Sequence, residues 1–239
     1  VLTDRDRMPD DVDGDGEPFD LAYKRTTTFG SNAMCVAESS PSREVKDMKW
    51  IAKTPHEAPP CDGIIGLYNR GDRRRWYWPC PHCDHYFEGK FEMLKYERKP
   101  GMSNLDVAET VRMECPKCAE PIHPDERYEM NLWGTWVKDG EAIDARGKKF
   151  GRGIRTLIAS FWLRGVAAAF VSWKKLLVTY LDAVDDFERT KTEESLKKFY
   201  NNDLGEPYYS RARQEIRLPE DLKAASEVGL GKHVVPCLL

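Results

Sequence analysis

Two four-residue segments with the same spacing, Cys80-Pro81-His82-Cys83 and Cys115-Pro116-Lys117-Cys118, constrain this chain more than any other feature. Each pair puts two thiolates on one tight knuckle, and two knuckles brought together complete a tetrahedron. A borderline-soft d¹⁰ ion such as Zn²⁺ takes that sulfur set without geometric strain. Proline after the first cysteine fixes φ and gives up a donor, which a knuckle tolerates. The spacer, residues 84–114, is longer than in the commonest ribbons. Two disulfides or four unrelated thiols are the alternatives; the repeated spacing favours a structural zinc ion held by Cys80, Cys83, Cys115 and Cys118. His82 and His85 are then surface residues beside the metal.

The cysteine count supports a metal over crosslinks. It is odd, seven, and Cys35, Cys61 and Cys237 lie far from the knuckles, so a reducing, intracellular setting fits better than a disulfide framework. The 239 residues allow one large domain or two smaller ones. A net charge of −3 excludes a polybasic nucleic-acid binder, so any DNA contact must come from a local patch. No apolar run reaches membrane-spanning length, since the stretch from Leu157 to Val171 is broken by Arg164, and no signal peptide is visible. The start at Val1 and the apolar end at Val234–Leu239 read as the ends of an internal fragment.

Residues 4–20 form a dense acidic loop, followed by a short helix from near Phe19 and a buried strand over Ala33–Glu38 that ends in Ser39-Ser40-Pro41-Ser42. A Ser/Pro turn at a strand end is where α/β proteins place functional loops. Arg73–Trp78 should be a strand entering the first knuckle, and the alternation of Val107, Glu109, Val111 and Met113 a strand entering the second. Ser172 can cap a helix with the stripe Trp173, Leu176, Leu177, Tyr180, Leu181 and Val184. A second helix, capped by Thr190 with Glu193, buries Leu196, Phe199, Tyr200 and Leu204 and stops at Gly205.

Several apparent motifs fail on inspection. Asp11–Gly16 matches half of a calcium loop, but Ala22 stands where the bidentate carboxylate is needed, leaving a solvated acidic loop. Gly229-Leu230-Gly231-Lys232 lacks the upstream glycine and the following Ser or Thr of a phosphate loop. No other Walker A candidate and no Ser-His-Asp arrangement appears. His56 and His123 show no recognisable partner. Arg73, Arg74 and Arg75 before three aromatics can grip a phosphate backbone; the plainer reading, which we favour, packs the aromatics under the ribbon and leaves the arginines solvated.

In order along the chain, the segments Asp4–Gly14, Lys24–Phe29, Glu38–Ser42, Arg74–Cys83, Trp133–Trp136 and Phe199–Pro207 resemble successive landmarks of the lambda-type tailed-phage terminase large subunit. The resemblance implies an ATPase that translocates double-stranded viral DNA and a nuclease that cuts concatemers. It implies ATP and Mg²⁺ as cofactors. Its partners would be the terminase small subunit, the portal of the procapsid and further copies in a homo-oligomeric motor, in the host cell cytoplasm.

On this resemblance the chain runs from the Walker B strand to just before the nuclease domain, and alone would be inactive. The implied fold is an α/β remnant of a P-loop ATPase domain at 1–70, an inserted β zinc ribbon at 71–136 and a mainly helical segment at 137–239. Thr3-Asp4 stands where the family has Asp-Glu. Asp4 then either orients the attacking water or holds Mg²⁺ with help from Asp6. Ser39 or Ser40 would sense the γ-phosphate. A non-catalytic zinc-ribbon module that binds nucleic acid or protein is the competing interpretation.

Overall fold

The computed structural model describes residues 1–47 and 49–210, so Cys237, Gly229–Lys232 and the apolar run Val234–Leu239 lie outside the described residues. A 3₁₀ turn at Arg5–Arg7 leads through the acidic loop to helix α1 (Pro18–Arg25), whose first-turn proline sits where no N–H is required. The buried strand expected over Ala33–Glu38 is reduced to one parallel bridge between Leu2 and Ala37. Its hydrogen bonds run from Leu2 N–H to Val36 O and from Glu38 N–H to Leu2 O. Nothing described covers its outer face, and Met34 is 80% exposed.

Helix α2 (Gly63–Arg70) precedes the central strand β1 (Arg74–Pro79), which turns through the first knuckle into β2 (Tyr86–Phe87). Then come β3 (Leu94–Lys95), α3 (Asn104–Glu109), β4 (Arg112–Glu114) and β5 (Pro121–Ile122). The alternation at Val107–Met113 is thus split: Val107 and Glu109 lie in α3, while Met113 lies in β4, which enters the second knuckle as expected. Ser103 Oγ accepts the Asp106 N–H while the Asp106 carboxylate accepts the Ser103 N–H, and this capping box commits the segment before its periodicity can. Val107, Ala108 and Val111 are buried at a spacing that suits a helix equally well.

The remainder runs α4 (Arg127–Leu132), β6 (Thr135–Val137), the hairpin β7 (Glu141–Ile143) and β8 (Lys149–Gly151), β9 (Phe161–Trp162), α5 (Trp173–Thr190) and α6 (Glu194–Lys198). A π turn at Phe199–Leu204 closes on Gly205 in the left-handed region. β1 pairs antiparallel with β2 and β6 and parallel with β9, setting Arg75 beside both Val137 and Trp162. Ser172 caps α5 as expected, accepting the Lys175 N–H. Thr190 does not cap the next helix: its hydroxyl donates to Asp186 O inside α5, and α6 starts at Glu194.

One apolar core runs without a break from Trp78, Phe87, Met113 and Ile122 of the knuckle hairpins to Trp173, Leu177, Leu196, Phe199 and Leu204 of the C-terminal helices. The hairpins are therefore half of a shared core, which disfavours a free-standing ribbon. No helix among the described residues is long and apolar enough to cross a membrane.

Candidate functional site

Each knuckle is the turn of a two-stranded hairpin, and the two are built alike. The Cys80 N–H donates to His85 O at 2.9 Å and the Asp84 N–H to Cys80 O at 3.0 Å; Cys115 to Glu120 O at 3.2 Å and Ala119 to Cys115 O at 3.0 Å repeat the pattern. The amides of His82 and Lys117 point at Sγ of Cys80 and Cys115, at 3.4 and 3.5 Å. Asp84 and Ala119, each just after the second cysteine, both sit in the left-handed region at φ 55° and 59°.

The sulfurs meet at 3.8 Å for Cys80–Cys118 and 3.8 Å for Cys83–Cys115, with all four within 4.8 Å of one another. Metal–sulfur bonds of about 2.3 Å give a tetrahedron with edges of about 3.8 Å. A disulfide would need sulfurs about 2.05 Å apart. The cluster can therefore hold a metal ion, and no pair of its sulfurs stands at disulfide distance. Burial pushes the Cys80 thiol up, so a bound cation is needed to keep it a thiolate. His82 stays exposed outside the set, with its ring against Pro121 O.

The acidic start and the Ser/Pro turn meet at a second corner. Asp6 is buried; its Oδ2 accepts the N–H groups of Ser42 (2.6 Å) and Arg43 (3.2 Å), and its Oδ1 accepts that of Ile64 (2.6 Å). In turn the Asp6 N–H donates to Ser39 Oγ at 3.1 Å, and the Ser39 hydroxyl donates to Ser40 O at 3.0 Å. Asp62 at the start of α2 makes no cap, so Asp6 caps that helix from outside and places its charge at the positive end of the helix dipole. Asp4 differs: it is exposed, left-handed at φ 51°, and its ion-pair partner Arg7 stands at 3.9 Å.

Sequence reasoning missed three supports of this corner. Arg5 is buried and bonded to Glu17 at 2.6 Å, and Arg43 donates to Met8 O at 2.5 Å. Gly63 has φ +68°, and a Cβ there would fall 2.2 Å from Asp6 Oδ1. A glycine at the first position of a helix was the one signal available.

Beside the corner lies a crevice of about 250 Å³. Its lining brings together Ser39, Ser40, Pro41, Ile64 and Tyr68 with Phe161, Trp162 and Leu163, and Tyr68 packs edge to face on Trp162. The three arginines at β1 are all committed to carboxylates, with Arg75 buried and Arg73 and Arg74 half-buried. Arg73 pairs with Asp139 at 3.0 Å, Arg74 with Asp72 at 2.7 Å, and Arg75 with Glu88 at 3.5 Å. Arg75 and Trp78, three apart and so on opposite faces of β1, are both buried, and a buried guanidinium requires a carboxylate and aromatic faces. Arg75 lies over the Trp162 ring at 3.7 Å. Glu88 also accepts from Arg164 Nε at 2.8 Å, and Arg164 bonds Glu206. Burial opposes the Glu88 carboxylate, but Arg164 and Arg75 outweigh it and hold its pKa below the ordinary value. His56, expected to be without partners, bonds Arg73 O (2.8 Å) and the Tyr77 hydroxyl (3.1 Å).

Comparison with known proteins bears on both halves of this arrangement. The family model of the phage terminase large subunit gpA ATPase domain matches residues 1–136, and that of the terminase large subunit gpA endonuclease domain matches residues 158–236. No curated protein and no solved structure matches the chain. The sequence reading put the nuclease domain past the end of the chain; the endonuclease match instead begins at residue 158, so Trp162, Arg164 and Glu206 fall inside it. The cysteine tetrad, the Asp6 corner, Arg75 and Glu88 fall in the ATPase match. With the ATPase match alone taking in more than half of its length, the chain belongs to the phage terminase large subunit gpA family.

Proposed function

We propose that this chain links the ATP-hydrolysing and DNA-cutting parts of a packaging motor through the Asp6–Ser39 corner and the crevice beside it. Large terminase subunits package viral DNA and cut it, with ATPase and endonuclease domains. The observation that carries the proposal is the crevice: the Ser39-Ser40-Pro41 turn and residues 161–163, from the endonuclease match, line it together. A shift of the turn when the γ-phosphate leaves would be felt directly at Trp162. Asp4, exposed and left-handed, is the acid free to serve ATP and Mg²⁺. Asp6, with three amides on its carboxylate, holds the turn in place and assists from behind. Ser40 and Ser39 sense the nucleotide.

The cysteine tetrad holds a structural Zn²⁺, since all four positions are sulfur and none is left for water. The ribbon thereby fixes β1 and, through it, Arg75. DNA is the substrate; the terminase small subunit, the portal and procapsid, and further copies in a homo-oligomeric ring are the partners we assign, in the host cell cytoplasm.

The test uses the full-length protein, with ATP hydrolysis and DNA packaging measured in parallel. Ser40→Ala should lower packaging by about tenfold while hydrolysis falls less, the scale of a 1–2 kcal/mol coupling. Intact packaging would sink the coupling role. Metal analysis should give one zinc per chain, and a zinc-free folded protein would refute that assignment.

A further inference from the structure

With Arg73, Arg74 and Arg75 committed to ion pairs, the cationic side chains left for a ligand lie elsewhere. The densest group is on the β7–β8 hairpin and its exit, in residues 137–157 between the two family matches. Arg146, Lys148, Lys149, Arg152 and Arg155 are all exposed there, within a chain whose net charge is −3. Arg146, Lys148, Arg152 and Arg155 make no ion pair among the described residues. The acid within the turn, Asp144, is engaged: its Oδ1 accepts the N–H groups of Arg146 and Lys148, both at 2.9 Å.

This hairpin is fixed to the protein. The Asp144 N–H donates to Lys148 O at 3.1 Å and the Gly147 N–H to Asp144 O at 3.0 Å, closing a tight turn. Gly147 abuts the Tyr86 hydroxyl, which also donates to Trp133 O at 3.2 Å. Lys149 Nζ donates to Trp136 O at 3.1 Å, anchoring β8 to the sheet around β1. Two large aromatics stand open on this region, Phe150 at 56% and Trp133 at 66% exposure. A two-stranded ribbon is narrow enough to enter the major groove of a duplex, and cations at its tip and along its exit complement the charge of the flanking phosphates. A motor that moves along every sequence needs contacts that read none, and phosphate contacts meet that requirement.

We propose that the β7–β8 hairpin is a sequence-independent grip on the phosphate backbone of duplex DNA, with Arg146, Lys148 and Arg152 as its principal contacts. The inference rests on the reading of the chain as part of a DNA-packaging motor and adds to it the element that holds the DNA.

The experiment measures binding of a random-sequence linear duplex to the full-length protein over a salt series, for wild type and for R146Q/K148Q/R152Q. Each lost phosphate contact should reduce the slope of log K against log salt by about 0.9 and weaken binding by up to about eightfold at 0.1 M salt. The triple variant should therefore lose about 2.7 in slope. A charge-matched control, K53Q/K197Q/K198Q, should leave it unchanged. Single variants R146Q and K148Q, each expected to lose about 0.9, guard against misfolding of the triple variant. Wild-type affinity and slope in the hairpin variants, or an equal loss in the control, overturn the grip and leave the Asp6 corner untouched. A wild-type protein that binds no duplex overturns both.

Discussion

Removing Glu88 should be the most costly single change at the junction of the two halves. Glu88 is 9% exposed and serves two guanidinium groups, Arg164 at 2.8 Å and Arg75 at 3.5 Å. The two would be left in different states. Arg164 keeps Glu206 as a second carboxylate. Arg75, 2% exposed, would keep one long bond to His56 O at 3.5 Å and the face of Trp162, and its Nε already lacks a partner. Breaking a buried ion pair from one side costs about 3–5 kcal/mol, because the surviving charge is bare. The Trp162 face places Glu88→Ala near the lower end, about 3 kcal/mol. Glu88→Gln, which retains an acceptor for Arg164, should cost about half as much. Replacing both partners by apolar side chains, Arg75→Met with Glu88→Leu, should bring the loss to within about 1 kcal/mol of wild type. Urea denaturation of the zinc-loaded protein at neutral pH reads all three. The pH dependence adds a signature. The folded Glu88 pKa lies below its ordinary 4.5, so its contribution is complete above that value and is lost as pH falls through the folded pKa. Glu88→Gln should flatten that acid limb. A Glu88→Ala loss under about 0.5 kcal/mol, or a double variant as damaged as the single, would refute the reasoning.

Other measurements reach the remaining parts. Gly63→Ala meets both a left-handed backbone and the Asp6 carboxylate, so thermal melting should show a loss of about 2 kcal/mol or more. Cys115→Ser should abolish zinc binding in metal analysis, and a chelator should destabilise the wild type in the same way, since binding and local folding are coupled. His56 is held neutral by burial, so its folded pKa falls below the ordinary 6.5. Stability should then decline as pH drops below that value, where the unfolded state takes a proton and the native state does not, and His56→Gln should lessen the decline. Ala119→Gly relieves a left-handed alanine and should raise stability by about 0.5 kcal/mol.

The cysteine cluster was legible in the sequence because a knuckle is local: Cys80-Pro81-His82-Cys83 specifies its own turn. The Ser172 cap and the stripe of α5 were legible for the same reason. The first half of Val107–Met113 was misread because Val107 and Val111, four apart, satisfy both a strand's alternation and a helix's face, and the deciding signal, Ser103 with Asp106, lay outside the window considered. The roles of Arg75 and Asp6 were hidden because each depends on partners far along the chain. Arg75 needs Glu88 and Trp162, and Asp6 needs amides at Ser42, Arg43 and Ile64. No local pattern distinguishes an arginine bound for the interior from one bound for solvent.

The stack of Arg75 on Trp162 also limits how such a protein can change over generations. Arg75 and Glu88 come from the ATPase match, while Trp162, Arg164 and Glu206 come from the endonuclease match, yet they form one sealed cluster. A chimera that joined this ATPase half to an unrelated endonuclease half would keep the Arg75–Glu88 pair but strip it of the Trp162 ring and of Arg164, the closer of the two cations on Glu88. Substitution at Arg75 or Glu88 is therefore least damaging when its partner changes with it. The two matched halves are thus held to one another by a handful of buried side chains, so each half is fitted to its present neighbour.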